Sequence, residues 1–147
     1  PGGDHPYLAQ WLSMIGKVAK KPDKETYFVG HSLGCITILK YLESLSFDER
    51  IGGCVFVAGF SFNINIPSIA EFYETSLEMD KIRMHTKKFA TIFSTNDPIV
   101  SISQGKKFQE MLGAKLIIEE GKGHFSGEEG VTELPSALGE VLAMANG

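Results

Sequence analysis

Short, almost continuously apolar segments alternate with amphipathic helical patterns along the chain, and this alternation constrains the fold more than any other feature. Apolar segments of this length, ended by glycine or polar turns, are typical of strands buried on both faces of a sheet. The predicted strands are 27–29, 54–58, 89–93 and 115–119, and the predicted helices are about 6–21, 33–45, 103–112 and 133–145. The alternation therefore indicates an α/β fold in which helices cover both faces of a mostly parallel sheet.

The length and charge of the chain narrow its class further. A length of 147 residues predicts a single domain that spans 1–147. The net charge is −4 and the lysines are scattered, which argues against a nucleic-acid partner. No apolar run approaches the ~20 residues of a membrane span, so no membrane partner is expected. Cys35 and Cys54 lie in apolar segments and predict buried thiols, which favours a cytoplasmic protein.

The first predicted strand is followed by a Gly-x-Ser-x-Gly motif, Gly30-His31-Ser32-Leu33-Gly34. This pattern holds a nucleophile on a tight turn between a strand and a helix, where small flanking residues let the two elements approach. The backbone N–H of Leu33, the residue after the serine, is one expected donor of an oxyanion hole. A plain turn with an exposed serine is the alternative, but the strand before the motif and the helix after it favour a nucleophile.

Two further residues complete the chemistry that an activated serine needs. Asp97 lies on a polar turn after the third predicted strand, and His124 follows the fourth. The chain order serine, acid, histidine is that of α/β hydrolases. Active sites of parallel sheets lie beyond the carboxyl ends of the strands, where all three residues are placed. Taken alone, Asp97 could be a residue that forms the turn, and His124 could be an ordinary loop residue. All three residues lie after strand ends in the expected order, and this agreement favours a catalytic triad.

The three residues predict a serine hydrolase that cleaves a small acyl ester or amide. His124 takes the proton of Ser32 as the serine attacks the carbonyl, and Asp97 fixes the imidazole tautomer. Water then hydrolyses the acyl-enzyme, and neither a metal nor another cofactor is required. The alternatives are an acyltransferase with the same residues and a non-catalytic interaction module that retains the fold. The intact set of three residues argues against the interaction module.

Residues 60–86, between the second and third predicted strands, are rich in aromatic side chains near the start and follow a strand end. They predict either a small cap over the active site or an ordinary helical excursion packed on the sheet. Phe60 and Phe62 are candidates for lining the substrate pocket, together with Phe125 beside the histidine. The segment therefore predicts a substrate pocket but does not identify the substrate.

The remaining histidines and the first helix carry weaker expectations. His31 lies in the serine turn and is expected to be structural, pointing away from the nucleophile. His5 and His85 are expected at the surface. Asp4 is expected to cap the first helix, with Pro6 in its first turn.

Segments spread along the chain resemble a known family. Residues 29–35, 96–100 and 123–125, and the stretch 128–135 after the histidine, are similar to the YdeN-like serine hydrolases. These are relatives of the retinoblastoma-binding-protein-nine family of α/β hydrolases. The resemblance implies an α/β-hydrolase-like three-layer sandwich with little cap that acts on esters or amides.

The start of the chain departs from this family pattern. Family members begin with a strand, a glycine-containing loop expected to supply the second oxyanion donor, a helix and another strand. This sequence instead begins Pro1-Gly2-Gly3-Asp4. An N-terminally incomplete hydrolase domain without its first strands is therefore expected. Since the loss of one oxyanion donor lowers a rate by ~10²–10³, weak activity is expected of this chain by itself.

Overall fold

The four predicted strands form one parallel sheet in the computed structural model, which describes residues 5–147. The strands are β1 (Tyr27–His31), β2 (Gly53–Val57), β3 (Phe89–Ser94) and β4 (Lys115–Glu119), in the order β1-β2-β3-β4. The helices are α1 (Leu8–Ala19), α2 (Leu33–Ser44), α3 (Met79–His85), α4 (Ile102–Leu112) and α5 (Pro135–Asn146), and two short 3-10 helices span Pro67–Phe72 and Gly127–Glu129. Every neighbouring strand pair is parallel. The predicted α/β fold with a mostly parallel sheet is confirmed.

The two faces of the sheet form separate apolar cores. Successive side chains of a strand point to opposite faces, and β2 is buried along its whole length. Phe56 belongs to the larger core with residues of α2 and α4, whereas Val55 and Val57 belong to the smaller core with Ala137 of α5. α1 also packs on the larger core. The sheet is therefore the middle one of three layers, and its buried strands hold their carboxyl ends in fixed positions.

The first helix begins later than its sequence predicts. The N-cap position is Tyr7 and α1 starts at Leu8, so Pro6 precedes the helix instead of lying in its first turn. Asp4, the expected cap, lies outside the described residues. Tyr7 provides no side-chain cap. The helix is therefore held by its apolar face, which packs on the larger core, more than by its N-terminus.

The start of α5 and the end of β1 also differ from prediction. α5 begins at Pro135, two residues later than expected, because proline at the first helical position has a suitable φ and needs no acceptor for an N–H. β1 continues to His31 instead of ending at residue 29, since Gly30 and His31 still pair with β2. The longer strand carries the chain directly into the serine turn.

Residues 60–86 pack on the larger core. Phe60 and Phe72 are fully buried, and the Phe72 ring meets the Trp11 ring edge to face with a centroid distance of 5.9 Å. Phe60 is therefore a core residue, and its prediction as a residue lining the substrate pocket is wrong. The aromatic pattern does not separate the two cases, because aromatic residues buried in a core and aromatic residues lining a pocket give the same composition. That residues 60–86 act as a cap, within a single domain, stays a prediction.

Both cysteines are buried and free, as predicted. Burial raises the pKa of the Cys35 thiol, in α2, and of the Cys54 thiol, in β2. Both therefore remain protonated at neutral pH and act as small apolar side chains. Within residues 5–147, no helix combines the length and the apolar character needed to cross a membrane.

Gly105→Ala is expected to destabilise the fold, although alanine favours a helix. A Cβ at Gly105, in α4, would lie 2.8 Å from the Phe93 ring and 2.7 Å from Leu116. Because Phe93 is fully buried, we expect the free energy of unfolding to fall by about 1–3 kcal/mol. Gly139→Ala in α5, where a Cβ meets nothing within 4 Å, is the control and should gain about 0.5–1 kcal/mol. Urea unfolding measures both, and equal stabilities would contradict the packing argument.

Candidate active site

Ser32 occupies a strained turn between β1 and α2. Its φ of 51° and ψ of −117° are unusual for a residue with a side chain. The turn is held because the Ser32 N–H donates to the Val57 carbonyl at 2.9 Å. Gly30 is required for close packing, since a Cβ there would lie 2.7 Å from Ile38. Gly34 is not required in this way, because a Cβ there meets nothing within 4 Å.

Ser32, His124 and Asp97 form a continuous hydrogen-bonded chain. His124 Nε2 lies 2.9 Å from Ser32 Oγ, and His124 Nδ1 lies 2.9 Å from Asp97 Oδ2. The Asp97 side chain is 1% exposed and the His124 side chain 12% exposed. Because an ionised carboxylate only accepts hydrogen bonds, Nδ1 carries the proton and Nε2 is left to accept from the serine. The three residues predicted from sequence are therefore brought together in one hydrogen-bonded chain.

The second carboxylate oxygen of Asp97 also accepts hydrogen bonds. Oδ1 accepts hydrogen bonds from the backbone N–H groups of Ile99 at 2.8 Å and Val100 at 2.9 Å. Asp97 therefore closes its own turn with one oxygen and holds His124 with the other. This leaves the carboxylate a single orientation toward the imidazole.

The acid loop, residues 94–97, holds the histidine loop, residues 121–124, at four consecutive positions. Three side chains of the acid loop accept from backbone N–H groups of the histidine loop: Thr95 from Gly121 at 3.1 Å, Ser94 from Lys122 at 2.9 Å and Asn96 from Gly123 at 2.8 Å. The Asp97–His124 bond is the fourth. Sequence reasoning assigned no role to Ser94, Thr95 and Asn96, although their place in the same turn as the predicted acid was an available signal.

The histidine loop has an unusual backbone. Gly121 and Gly123 have φ values of 70° and 54°, and Phe125, which is not a glycine, has a φ of 57°. These left-handed conformations reverse the chain directly after β4, so that His124 points back toward Ser32. The strain at Phe125 persists only because neighbouring contacts fix the loop.

Glu129 fixes the histidine loop from the other side. Its carboxylate accepts from the Ser126 N–H at 3.0 Å and from the Ser126 hydroxyl at 2.9 Å. The backbone N–H of His124, followed by the hydrogen bonds from Ser126, lowers the pKa of Glu129. A Cβ at Gly123 would collide with this carboxylate, so glycine makes room for it. Sequence reasoning missed this contact.

Glu129→Gln is expected to loosen the His124 backbone. Since the folded-state pKa of Glu129 is lowered, its stabilising effect is complete above the unfolded pKa and is lost as the pH falls through the folded pKa. We expect the His124 amide to exchange hydrogen about tenfold faster in the variant at neutral pH, and the two proteins to converge in acid. Glu128→Gln, the exposed neighbour, is the control. Equal exchange in the two variants at neutral pH would rule out this role for Glu129.

The other histidines differ from expectation in their surroundings. His31 Nε2 lies 2.7 Å from the His124 carbonyl, and the His31 and His124 rings have a centroid distance of 4.9 Å. His31 is exposed but contacts the histidine loop, so the expectation that it points away from the site is wrong. His85 is only 1% exposed, so the expectation that it lies at the surface is also wrong. His5 is exposed, as expected.

The predicted pocket residues do not converge on one cavity. Phe125 is 8% exposed and lines a cavity of about 250 Å³ together with His31. Phe62 is 41% exposed and lines a separate cavity of about 450 Å³, where the Lys107 ammonium lies 4.5 Å from its ring centroid. Phe60 is in the core. A common substrate pocket formed by the three phenylalanines is therefore not present in the described part of the chain.

Metal ligands are not clustered in the described part of the chain. Among residues 5–147, no group of three or more histidine, cysteine, aspartate or glutamate side chains is placed to hold a metal ion. The arrangement around Ser32 is suited to acid–base chemistry through an imidazole.

A family model described as serine hydrolase matches residues 3–143, which is nearly the whole chain. This chain belongs to the serine hydrolase family. Within the family, the protein YdeN of Bacillus subtilis is 35% identical over 136 residues, which cover 92% of this chain and 72% of YdeN. The serine hydrolase RBBP9 of Rattus norvegicus is more distant, with 22% identity over 73% of this chain and 56% of that protein. The resemblance to YdeN-like hydrolases is thereby confirmed.

One solved structure supports the same family assignment, and a second has the same fold. The crystal structure of the ydeN gene product from B. subtilis superposes with a TM-score of 0.89 at 32% identity, covering 97% of this chain and 77% of that one. A yden-like hydrolase from Pectobacterium atrosepticum has a TM-score of 0.63 at 18% identity, covering 96% of this chain and 69% of that one. The second likeness shows the shared fold alone. This serine hydrolase therefore has the hydrolase fold of its relatives.

Proposed function

We propose that this serine hydrolase cleaves small carboxylic esters, or amides, through a covalent acyl-enzyme on Ser32. The observation that carries the proposal is the hydrogen-bonded chain from Ser32 through His124 to Asp97, with two bonds of 2.9 Å. Such a chain lets an imidazole remove the serine proton during attack and return it to the leaving group. Membership of the serine hydrolase family supports the same chemistry.

The proposed reaction has two balanced halves. Ser32 Oγ bonds to the acyl carbon while its proton passes to His124 Nε2, and the resulting tetrahedral oxyanion expels the leaving alcohol or amine, which takes that proton. Water then attacks the acyl-enzyme and gives a proton to Nε2. The carboxylic acid leaves and the proton returns to Ser32. Asp97 stays ionised throughout and stabilises the imidazolium.

The oxyanion of each tetrahedral intermediate is assigned to the start of α2. Leu33 is the first residue of α2, where helical N–H groups have no acceptor within the helix. The partial positive charge of the helix N-terminus also favours an oxyanion there. Leu33 directly follows Ser32 in the chain, and removing such a donor costs about 10²–10³ in rate. Leu33 is therefore the proposed backbone donor.

Active-site labelling tests the proposal. We expect a fluorophosphonate probe to modify the tryptic peptide that contains Ser32, as mapped by mass spectrometry. Ser32→Ala should abolish the label and His124→Ala should slow it strongly, whereas Ser103→Ala, at an exposed serine of α4, should label like the wild type. A folded protein that takes no label, or takes it at another residue, would overturn the proposal and favour an interaction module. Turnover of short-acyl esters with and without added alcohols then separates hydrolysis from acyl transfer.

A further inference from the structure

We propose that a basic cavity at the amino end of the sheet binds the phosphate group of a small phosphorylated molecule. The cavity has a volume of about 450 Å³ and is formed where β1, β2 and β3 begin. Ser32 and His124 lie beyond the opposite, carboxyl ends of the strands. A five-residue strand spans about 16 Å, so a ligand in this cavity does not touch the reacting atoms.

The charge of the cavity wall has one sign. Five cationic side chains line it, with His85, and no carboxylate among the described residues does: Lys24, Arg50, Arg83, Lys87 and Lys88. The chain as a whole has 14 lysine and arginine residues against 18 aspartate and glutamate residues. A concave site lined by cations in an acidic protein concentrates a positive potential, which selects an anion.

Most of this positive charge is not neutralised by the protein. Lys24 and Lys87 are exposed and form no hydrogen bond or ion pair within residues 5–147. Arg83 is paired with the carboxylate of Asp80 through one Nη and donates to the Met111 carbonyl at 2.7 Å through the other. The two lysines are therefore free to meet an anionic ligand.

The other two cations are held in place without being neutralised. Arg50 Nη1 donates to the carbonyls of Phe47 and Glu49, both at 2.8 Å. Lys88 Nζ donates to the Met144 carbonyl at 2.6 Å. A carbonyl fixes the position of a cation but leaves its net charge, so these two side chains form a positioned basic wall. Such preorganised donors suit the several oxygens of a phosphate group.

His85 adds a buried polar atom that lacks a partner. Its Nδ1 donates to the Glu49 carbonyl at 2.9 Å, and its Nε2 is buried without a hydrogen bond within the described residues. Buried polar atoms in proteins are nearly always hydrogen-bonded, so the described residues leave this nitrogen without its usual partner. Because His85 lines the cavity, its ring signals report on an anion that binds there.

Nuclear magnetic resonance titration of the full chain with inorganic phosphate tests the proposal, at constant ionic strength maintained with sodium chloride. We expect saturable shifts at the Gly52 amide, the amides of residues 84–88 and the ring nitrogens of His85, and none at His124. Lys24→Gln with Lys87→Gln should weaken phosphate binding about tenfold. The control pair Lys17→Gln with Lys106→Gln removes two exposed charges outside the cavity and should leave the affinity within about twofold.

Two outcomes would overturn the proposal. Unchanged His85 ring signals would show that phosphate does not bind in this cavity. Shifts scattered over the exposed lysines, with equal losses in the two double variants, would indicate unspecific attraction. Because the readout is binding, it is independent of whether Ser32 takes a fluorophosphonate label.

Discussion

Asp97→Asn is expected to lower kcat for ester hydrolysis about 10⁴-fold with little change in KM. The Asp97 oxygen that accepts from Ile99 and Val100 must remain an acceptor, so the new NH₂ group would face His124 Nδ1. Nδ1 would then have to accept, and the ring proton would move to Nε2. An imidazole with Nε2 protonated cannot take the proton of Ser32, so the fold is kept while the base is lost.

Steady-state kinetics with a short-acyl p-nitrophenyl ester measures this effect. Asp48→Asn, which makes the same change of charge at an exposed turn, is the matched control and should retain wild-type kcat. Far-ultraviolet circular dichroism and thermal unfolding establish that the Asp97 variant is folded. A folded variant that loses less than about tenfold in kcat would contradict the assigned role of the carboxylate.

Asn96→Ala is expected to lower kcat about 10²-fold, because a small displacement of a catalytic base is costly. Asn96 Oδ1 accepts from the Gly123 N–H and from the Ser94 hydroxyl, both at 2.8 Å. Without it, the donor next to His124 has no partner and the histidine loop can move away from Ser32. Asn96 acts through His124 and is therefore a positioning residue.

A comparison of variants separates positioning from stability for Asn96. Asn96→Asp keeps an acceptor oxygen and should restore most of the kcat lost in Asn96→Ala. Asn146→Ala, at the exposed end of α5, is the matched control and should behave like the wild type. A loss of activity that tracks only the melting temperature, without rescue by aspartate, would contradict the positioning role.

Local patterns carried most of the fold prediction. Buried strands need apolar residues on both faces, and each short strand segment shows this requirement as an almost continuous apolar run. The parallel arrangement follows because each strand is linked to the next through a helical connection. Ser32, Asp97 and His124 could be selected because all three follow strand ends, and parallel strands bring those ends to one edge.

The burial of individual side chains and their contacts with residues distant in sequence could not be predicted in the same way. Phe60 has the composition of a pocket residue, yet packing against Tyr73 and the larger core buries it completely. His85 is a polar residue in a charged stretch, yet it is buried and its Nδ1 meets a carbonyl 36 residues earlier in the chain. In both cases the deciding neighbours are distant in sequence, so no local pattern contains them.

The sequence by itself determined the layered α/β fold and the three residues proposed for catalysis, because hydrophobic periodicity and strand-end position are local properties. Only the tertiary structure decided how those residues are held. The contacts of Asn96 with Gly123, of Glu129 with the His124 backbone, and of His31 with the His124 carbonyl depend on how loops meet. Hydrogen bonds need donor and acceptor within about 3 Å, and that closeness exists only after the sheet has brought separate loops to one edge.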